Sequence, residues 1–152
     1  MHFQSVALSD RGLNREINED SAWIGSQIIA VADGLGGHAG GEVASAIVIN
    51  GLAKAEKNEF TKESVHDLVI EITAKANGEI AKKIKDSPKL KGMGTTLTSL
   101  ITTEDKVALI HIGDSRCYQF RDGKLTQLSK DHTLVQELID QGRLSVEEAT
   151  SH

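Results

Sequence analysis

The chain has 152 residues, 39% of them apolar and 26% charged, with a formal net charge of −5. That length is one domain's worth and can bury roughly 70% of its unfolded surface, so a packed core is expected. The negative balance argues against a nucleic-acid partner, whose phosphates demand a basic face, but leaves phosphorylated substrates open, since a bound cation reverses the local sign of a site. One cysteine, Cys117, excludes an internal disulfide and suits a reducing compartment. No apolar run approaches the ~20 residues that span a bilayer, and no apolar segment follows the start as a secretory signal requires. A cytoplasmic monomer is the expectation.

VALSDRG, from Val6, reads as a short strand breaking into a polar turn. SAWIG and QIIAVAD read as a strand pair around Gly25-Ser26. The second is apolar without alternation, the pattern of a central strand covered on both faces. From Gly41 the period becomes helical, with Ala44, Ile47, Val48, Gly51, Leu52 and Ala55 on one face and Glu42 in the first turn, where the helix dipole favours an anion. Thr61 is a plausible N-cap for a second helix whose face runs Val65, Leu68, Val69, Ile72, Ala76, Ile80, Ile84; Gly78 weakens it and Pro88 ends it. TTLTSLITT, KVALIHIG and RCYQFRDG are strand candidates. Glu104-Asp105 and Asp122-Gly123 are hairpin turns, the latter suited to type I′ geometry. A third helix is expected from about Thr133 to Gln141, ended by Gly142, and a fourth from Ser145, with Val146-Glu147-Glu148 completing a capping box. The order of elements indicates α+β with antiparallel sheets rather than alternating βαβ units.

The chemistry concentrates in residues 28–42. An apolar run ends in Asp33, and a glycine-dense turn follows with His38 inside it. A carboxylate at a strand end beside bare backbone can hold a hard cation, with the Gly34 carbonyl as a further oxygen ligand. The alternative is an aspartate that caps the next helix. GLGGHAGG as a nucleotide-phosphate cradle lacks the Lys-Ser/Thr of a P-loop and does not match GxGxxG. His38 is either a general acid or polar filler in a turn. Asp114 repeats the context of Asp33, with apolar strand, glycine and acid in turn, or else simply closes a hairpin turn. In GLNREINEDS, Arg15 could clamp a phosphoryl oxygen beside Glu19 and Asp20, but the segment read alone is a solvated polar loop. Asp131 reads as a helix N-cap, Cys117 as a packed, inert thiol, and Trp23 as core or half-core.

Taken together, Arg15 with Glu19-Asp20, ADGLGGHAGGEVAS, GMGTTL at 92–97 and GDSRCYQFRDGKLTQLSKDHTLVQELIDQG resemble the bacterial form of the protein phosphatase 2C family, the metal-dependent serine/threonine phosphatases. Each motif is modest alone; the four in this order and spacing are specific. The resemblance covers about Ser9 to His152. It implies two stacked antiparallel sheets flanked by helices, an α-β-β-α sandwich, with a pair of Mn²⁺ or Mg²⁺ ions in a cleft at one end. By the same resemblance Asp33 is the acid bridging both metals, the Gly34 carbonyl and Glu19 bind one of them, Asp20 supports the site, Asp114 holds a looser third metal, Arg15 clamps phosphate and His38 is the general-acid candidate.

The implied reaction is hydrolysis of phosphoserine or phosphothreonine in phosphorylated proteins by a metal-activated water, two metals roughly 3.5–4 Å apart bracing the in-line attack. Family members carry, further on, a flap, a Ser-Asp-Gly element and a late Asp-Asn element that complete the metal site. Nothing after Asp131 matches these, so the expectation for residues 1–152 is one phosphatase-like domain truncated before its C-terminal metal ligands. Such a chain is expected to lose activity and, with sheet edges left unpaired, to be poorly soluble. The alternative is a non-catalytic phosphatase-like module that binds phosphopeptides or a partner.

Overall fold

In the computed structural model, residues 2–36, 40–56 and 60–143 are described. Strands β1 (Asp20–Ile24) and β2 (Ile28–Leu35) form the expected antiparallel pair, closed where the Gly25 N–H donates to the Ile28 carbonyl at 2.8 Å. Helices α1 (Gly40–Ala55) and α2 (Lys62–Asp86) follow, then a single 3₁₀ turn at Pro88–Leu90. Strands β3 (Gly94–Thr95), β4 (Leu97–Thr102) and β5 (Val107–Ile112) complete a five-stranded sheet in the order β1-β2-β4-β5, with β3 pairing the end of β2. A separate hairpin of β6 (Tyr118–Arg121) and β7 (Lys124–Gln127) leads to the short helix α3 (Leu134–Asp140). All described strand pairs are antiparallel, so the α+β class holds.

The core lies between the sheet and one helical layer. Ile28, Ala30 and Ala32 of β2 and Leu97 and Ile101 of β4 meet Val48, Ile49 and Leu52 of α1 and Leu68, Ile72 and Ala76 of α2. Each large side chain so buried stabilises the fold by about 1.5–3 kcal/mol. Thr61 caps α2 as expected, and Ser64 completes a reciprocal capping box: the Ser64 N–H donates to Thr61 Oγ1 at 3.1 Å and the Thr61 N–H to Ser64 Oγ at 2.8 Å. Phe60 and Val65 flank that box at the two positions of a hydrophobic staple, and both enter the core. The α2 helix runs unbroken through Gly78.

Four expectations need correcting. VALSDRG forms no strand: Val6 and Leu8 stand exposed, and Asp10 accepts the Gly12 N–H at 2.7 Å in a local turn that competes with strand pairing. The β2 strand is central but covered on one face only. Its residues alternate after all, with Val31 48% and Leu35 54% exposed on the side away from the helices. Apolar Ile29 and Val31 on the less covered face make the run uniformly apolar and hide that alternation from the sequence. Asp131 does not cap α3. Thr133 does, accepting the Gln136 N–H at 3.2 Å, because Asp131 is taken up by Arg116. Finally, β7 was not foreseen as a strand of its own, although its turn was: Asp122 (φ 51°) and Gly123 (φ 75°) both adopt the left-handed backbone that type I′ requires. The helix expected from Ser145 lies outside the described residues, as does His38.

Candidate active site

The pairing register of the first two strands brings two carboxylates together. Asp20 opens β1 directly opposite Asp33 near the end of β2, close enough for the one carboxyl to act on the other. Partial burial raises the Asp33 pKa above the ordinary aspartate range. The neighbouring Asp20 carboxyl pushes the same way, as does the charge of Asp114, while Arg15 pulls down without prevailing. A carboxyl whose pKa is raised by burial and by neighbouring acids marks a site where added positive charge would be favourable. Three of the residues singled out in the sequence, Arg15, Asp20 and Asp114, thus come within electrostatic reach of a fourth, Asp33.

Glu19 and Gly34 sit immediately behind this pair, where β2 runs into α1. The Gly34 N–H donates to the Glu19 carbonyl at 3.2 Å, which also accepts Ser45 Oγ at 2.6 Å. The Glu19 carboxylate accepts the Gly41 N–H at 3.2 Å in the first turn of α1, where the helix terminus favours an anion. The approach is so close that a Cβ on Gly34 would lie 2.1 Å from the Gly41 carbonyl oxygen. The glycine is therefore required first for strand-on-helix packing.

Asp114 is placed by a different device. Gly113 has φ +104°, and the position of its absent Cβ is 2.6 Å from the Thr96 methyl. Next to it, Ser115 Oγ and Thr96 Oγ1 share a 2.7 Å hydrogen bond. The turn is anchored from below by His132, whose N–H donates to the Gly113 carbonyl at 2.8 Å.

Sequence reading missed three contributors. Arg116 makes a forked contact with Asp131, with Nε at 3.1 and 3.0 Å from its two oxygens and one terminal nitrogen at 2.6 Å, and this holds the Asp131 carboxyl below its ordinary range. The pair tethers the segment after Asp114 to the entrance of α3 across 15 residues that no local pattern links. Thr96 was visible within GMGTTL but carried no role. Glu56, just past α1, accepts the Trp23 indole N–H (3.0 Å), Ser26 Oγ (3.2 Å) and the Gln27 N–H (2.8 Å), and so staples the first hairpin to the helix.

Among the described residues, no three His, Cys, Asp or Glu side chains close into a ligand cluster. What the chain offers a cation is an aspartate pair with a third aspartate at electrostatic range, all hard oxygen donors, with excess negative charge registered at Asp33. That donor set fits Mg²⁺ or Mn²⁺ and not a thiophilic metal. A groove of about 870 Å³ runs between α1 and α2, but it is lined by acids and lysines of mixed sign and contains none of these aspartates.

The family model described as Protein phosphatase 2C matches residues 15–145. The chain is 49% identical over 147 residues to the serine/threonine protein phosphatase PstP of Mycobacterium tuberculosis strain H37Rv, covering 97% of this chain and 28% of that protein. The crystal structure of the M. tuberculosis phosphatase PstP/Ppp superposes with a TM-score of 0.88 at 49% identity, over 95% of this chain and 61% of that one. The PstP catalytic domain in complex with two manganese ions superposes with a TM-score of 0.84 at 47% identity, over 93% and 61% respectively. The chain thus spans less than two thirds of each.

Proposed function

The chain belongs to the protein phosphatase 2C family, and we propose that it carries the N-terminal share of a metal-dependent phosphatase acting on phosphoserine and phosphothreonine in proteins. The observation that carries this reading is the strand register that sets Asp20 against Asp33, whose carboxyl also feels the charges of Asp114 and Arg15. The relative bound to two manganese ions supports the choice of cation.

In this reading Asp33 and Asp20 hold Mn²⁺ or Mg²⁺ together with the Gly34 carbonyl and Glu19, and Asp114 serves a third, looser ion. Bound cations of this kind lower the pKa of a water and neutralise charge on the phosphoryl oxygens. Arg15 orients the phosphate through a forked, charge-assisted contact. His38 supplies the proton to the departing seryl or threonyl oxygen. The strand pairing at Asp20 and Asp33 and the glycine contact at Gly34 hold the ligands in place before any substrate arrives, which is where catalysis by positioning and charge must come from. Substrates are phosphorylated proteins, and the protein works as a cytoplasmic monomer. No helix among the described residues is long and apolar enough to cross a membrane.

Phosphate release from a phosphothreonine peptide with Mn²⁺ tests the reading, using this chain and a version extended to the length of the matched catalytic domains. The extended protein is expected to turn over and its Asp33→Ala variant to be inert; an inert extended protein, or an active variant, refutes the mechanism. A second reading, a non-catalytic module, is favoured by the open ligand set. Calorimetric phosphopeptide binding by the extended protein without turnover selects it.

A further inference from the structure

GMGTTL, the one motif of the four without an assigned role, meets β2 at Asp33. Register is continuous on either side, with Val31 opposite Thr98 and Gly34 opposite Thr95, so Asp33 lies opposite Thr96. Yet the ladder changes character at this point. The Thr96 N–H donates to the Asp33 carbonyl at 2.9 Å as a strand partner does, but the Asp33 N–H goes to the Thr96 hydroxyl, also at 2.9 Å. Thr95 Oγ1 lies 3.0 Å from both the Asp33 and the Thr96 carbonyl oxygens, its single hydrogen shared between the two acceptors. Thr96 is buried, its hydroxyl bonded onward to Ser115 beside Asp114 and its methyl filling the space beside Gly113.

We propose that Thr96 is a positioning residue that fixes the spacing between the Asp33 carboxylate and the Asp114 turn, and through that spacing the affinity of the site for divalent cations. Its hydroxyl grips the backbone of one aspartate and the neighbour of the other, and its methyl sets how near the turn can come. The inference rests on the metal-site reading above. Outer groups that orient ligands typically change metal affinity by about 10–100-fold when removed.

The test is Mn²⁺ binding by isothermal titration, alongside melting temperatures of the metal-free proteins, in the version extended to the length of the matched catalytic domains, for wild type and for Thr96→Val, Thr96→Ser and Ser115→Ala. Thr96→Val keeps the shape and deletes the hydroxyl, and is expected to bind Mn²⁺ about 10–100-fold more weakly. Thr96→Ser restores the hydroxyl and most of the affinity, and Ser115→Ala loses affinity while keeping the Asp33 contact. Faster hydrogen exchange at the Asp33 amide in Thr96→Val, reversed in Thr96→Ser, reports the same bond without metal. A Thr96→Val variant that melts lower but binds Mn²⁺ as wild type does makes Thr96 merely structural and overturns the proposal. Wild type that binds no Mn²⁺ removes the metal-site reading itself, and the proposal with it.

Discussion

Replacing Gly34 with alanine puts a methyl carbon 2.1 Å from the Gly41 carbonyl oxygen, 2.3 Å from its carbon and 2.6 Å from the Glu19 carbonyl oxygen. Favourable contacts between non-bonded carbons lie near 3.5–4.0 Å, so strand and helix must part by roughly 1 Å or more. Overpacking costs about 1–3 kcal/mol and sometimes more. Here every obstacle is backbone that no rotamer change can clear, so the expected loss is at the upper end, about 3 kcal/mol. For a chain of this size that is a fall of about 6–12 °C in melting temperature. Gly78→Ala is the matched control. It lies inside α2 with nothing within 4 Å of the new Cβ, so helix propensity alone acts and stabilises by about 1 kcal/mol, or about 2–4 °C. Thermal unfolding followed by circular dichroism measures both. Because the Gly34 N–H also holds the Glu19 carbonyl, the Gly34→Ala variant should lose Mn²⁺ affinity as well. Equal melting of Gly34→Ala and wild type would falsify the packing argument, and so would a destabilised Gly78→Ala.

Two further outcomes test the electrostatics and the hairpin staple. The Asp33 carboxyl has its pKa raised by burial and by Asp20 and Asp114, so its contribution is intact below the ordinary aspartate value and lost as pH rises through the raised one. Asp33→Asn should therefore melt higher than wild type in metal-free buffer near neutral pH and lose that advantage in acid. Added Mn²⁺ should reverse the order, since a ligand at 100 times its Kd stabilises by about 2.7 kcal/mol; an Asp33→Asn variant equally stabilised by Mn²⁺ contradicts the site. Burial pushes the Glu56 carboxyl up, but hydrogen bonds from Gln27, Trp23 and Ser26 outweigh it and the pKa ends below the ordinary glutamate value. Its stabilisation is present above that value and fades as pH falls through the depressed one. Glu56→Ala strands the buried Gln27 N–H and the Trp23 indole and should cost about 2–3 kcal/mol in urea unfolding near neutral pH, with the gap to wild type narrowing in acid; a gap independent of pH rules the charge out.

Local rules, which act over a few residues, were legible in the sequence. The Thr61 cap, the Asp122-Gly123 turn, the helical face from Ala44 to Leu52 and the strand that delivers Asp33 were all expected from spacing and composition, and each is found. The motif order carried the family for the same reason, since it preserves residue types at fixed offsets. Tertiary structure decided what depends on partners distant along the chain. Only the strand register sets Asp20 against Asp33, only the β2–α1 crossing explains why residue 34 has no side chain, and only the approach of the Asp114 turn gives Thr96 a task. Asp131 shows the limit most simply. Its place before a helix made it a cap, but a guanidinium 15 residues upstream, folded back by the β6–β7 hairpin, offers a forked charged contact that a lone backbone N–H cannot match.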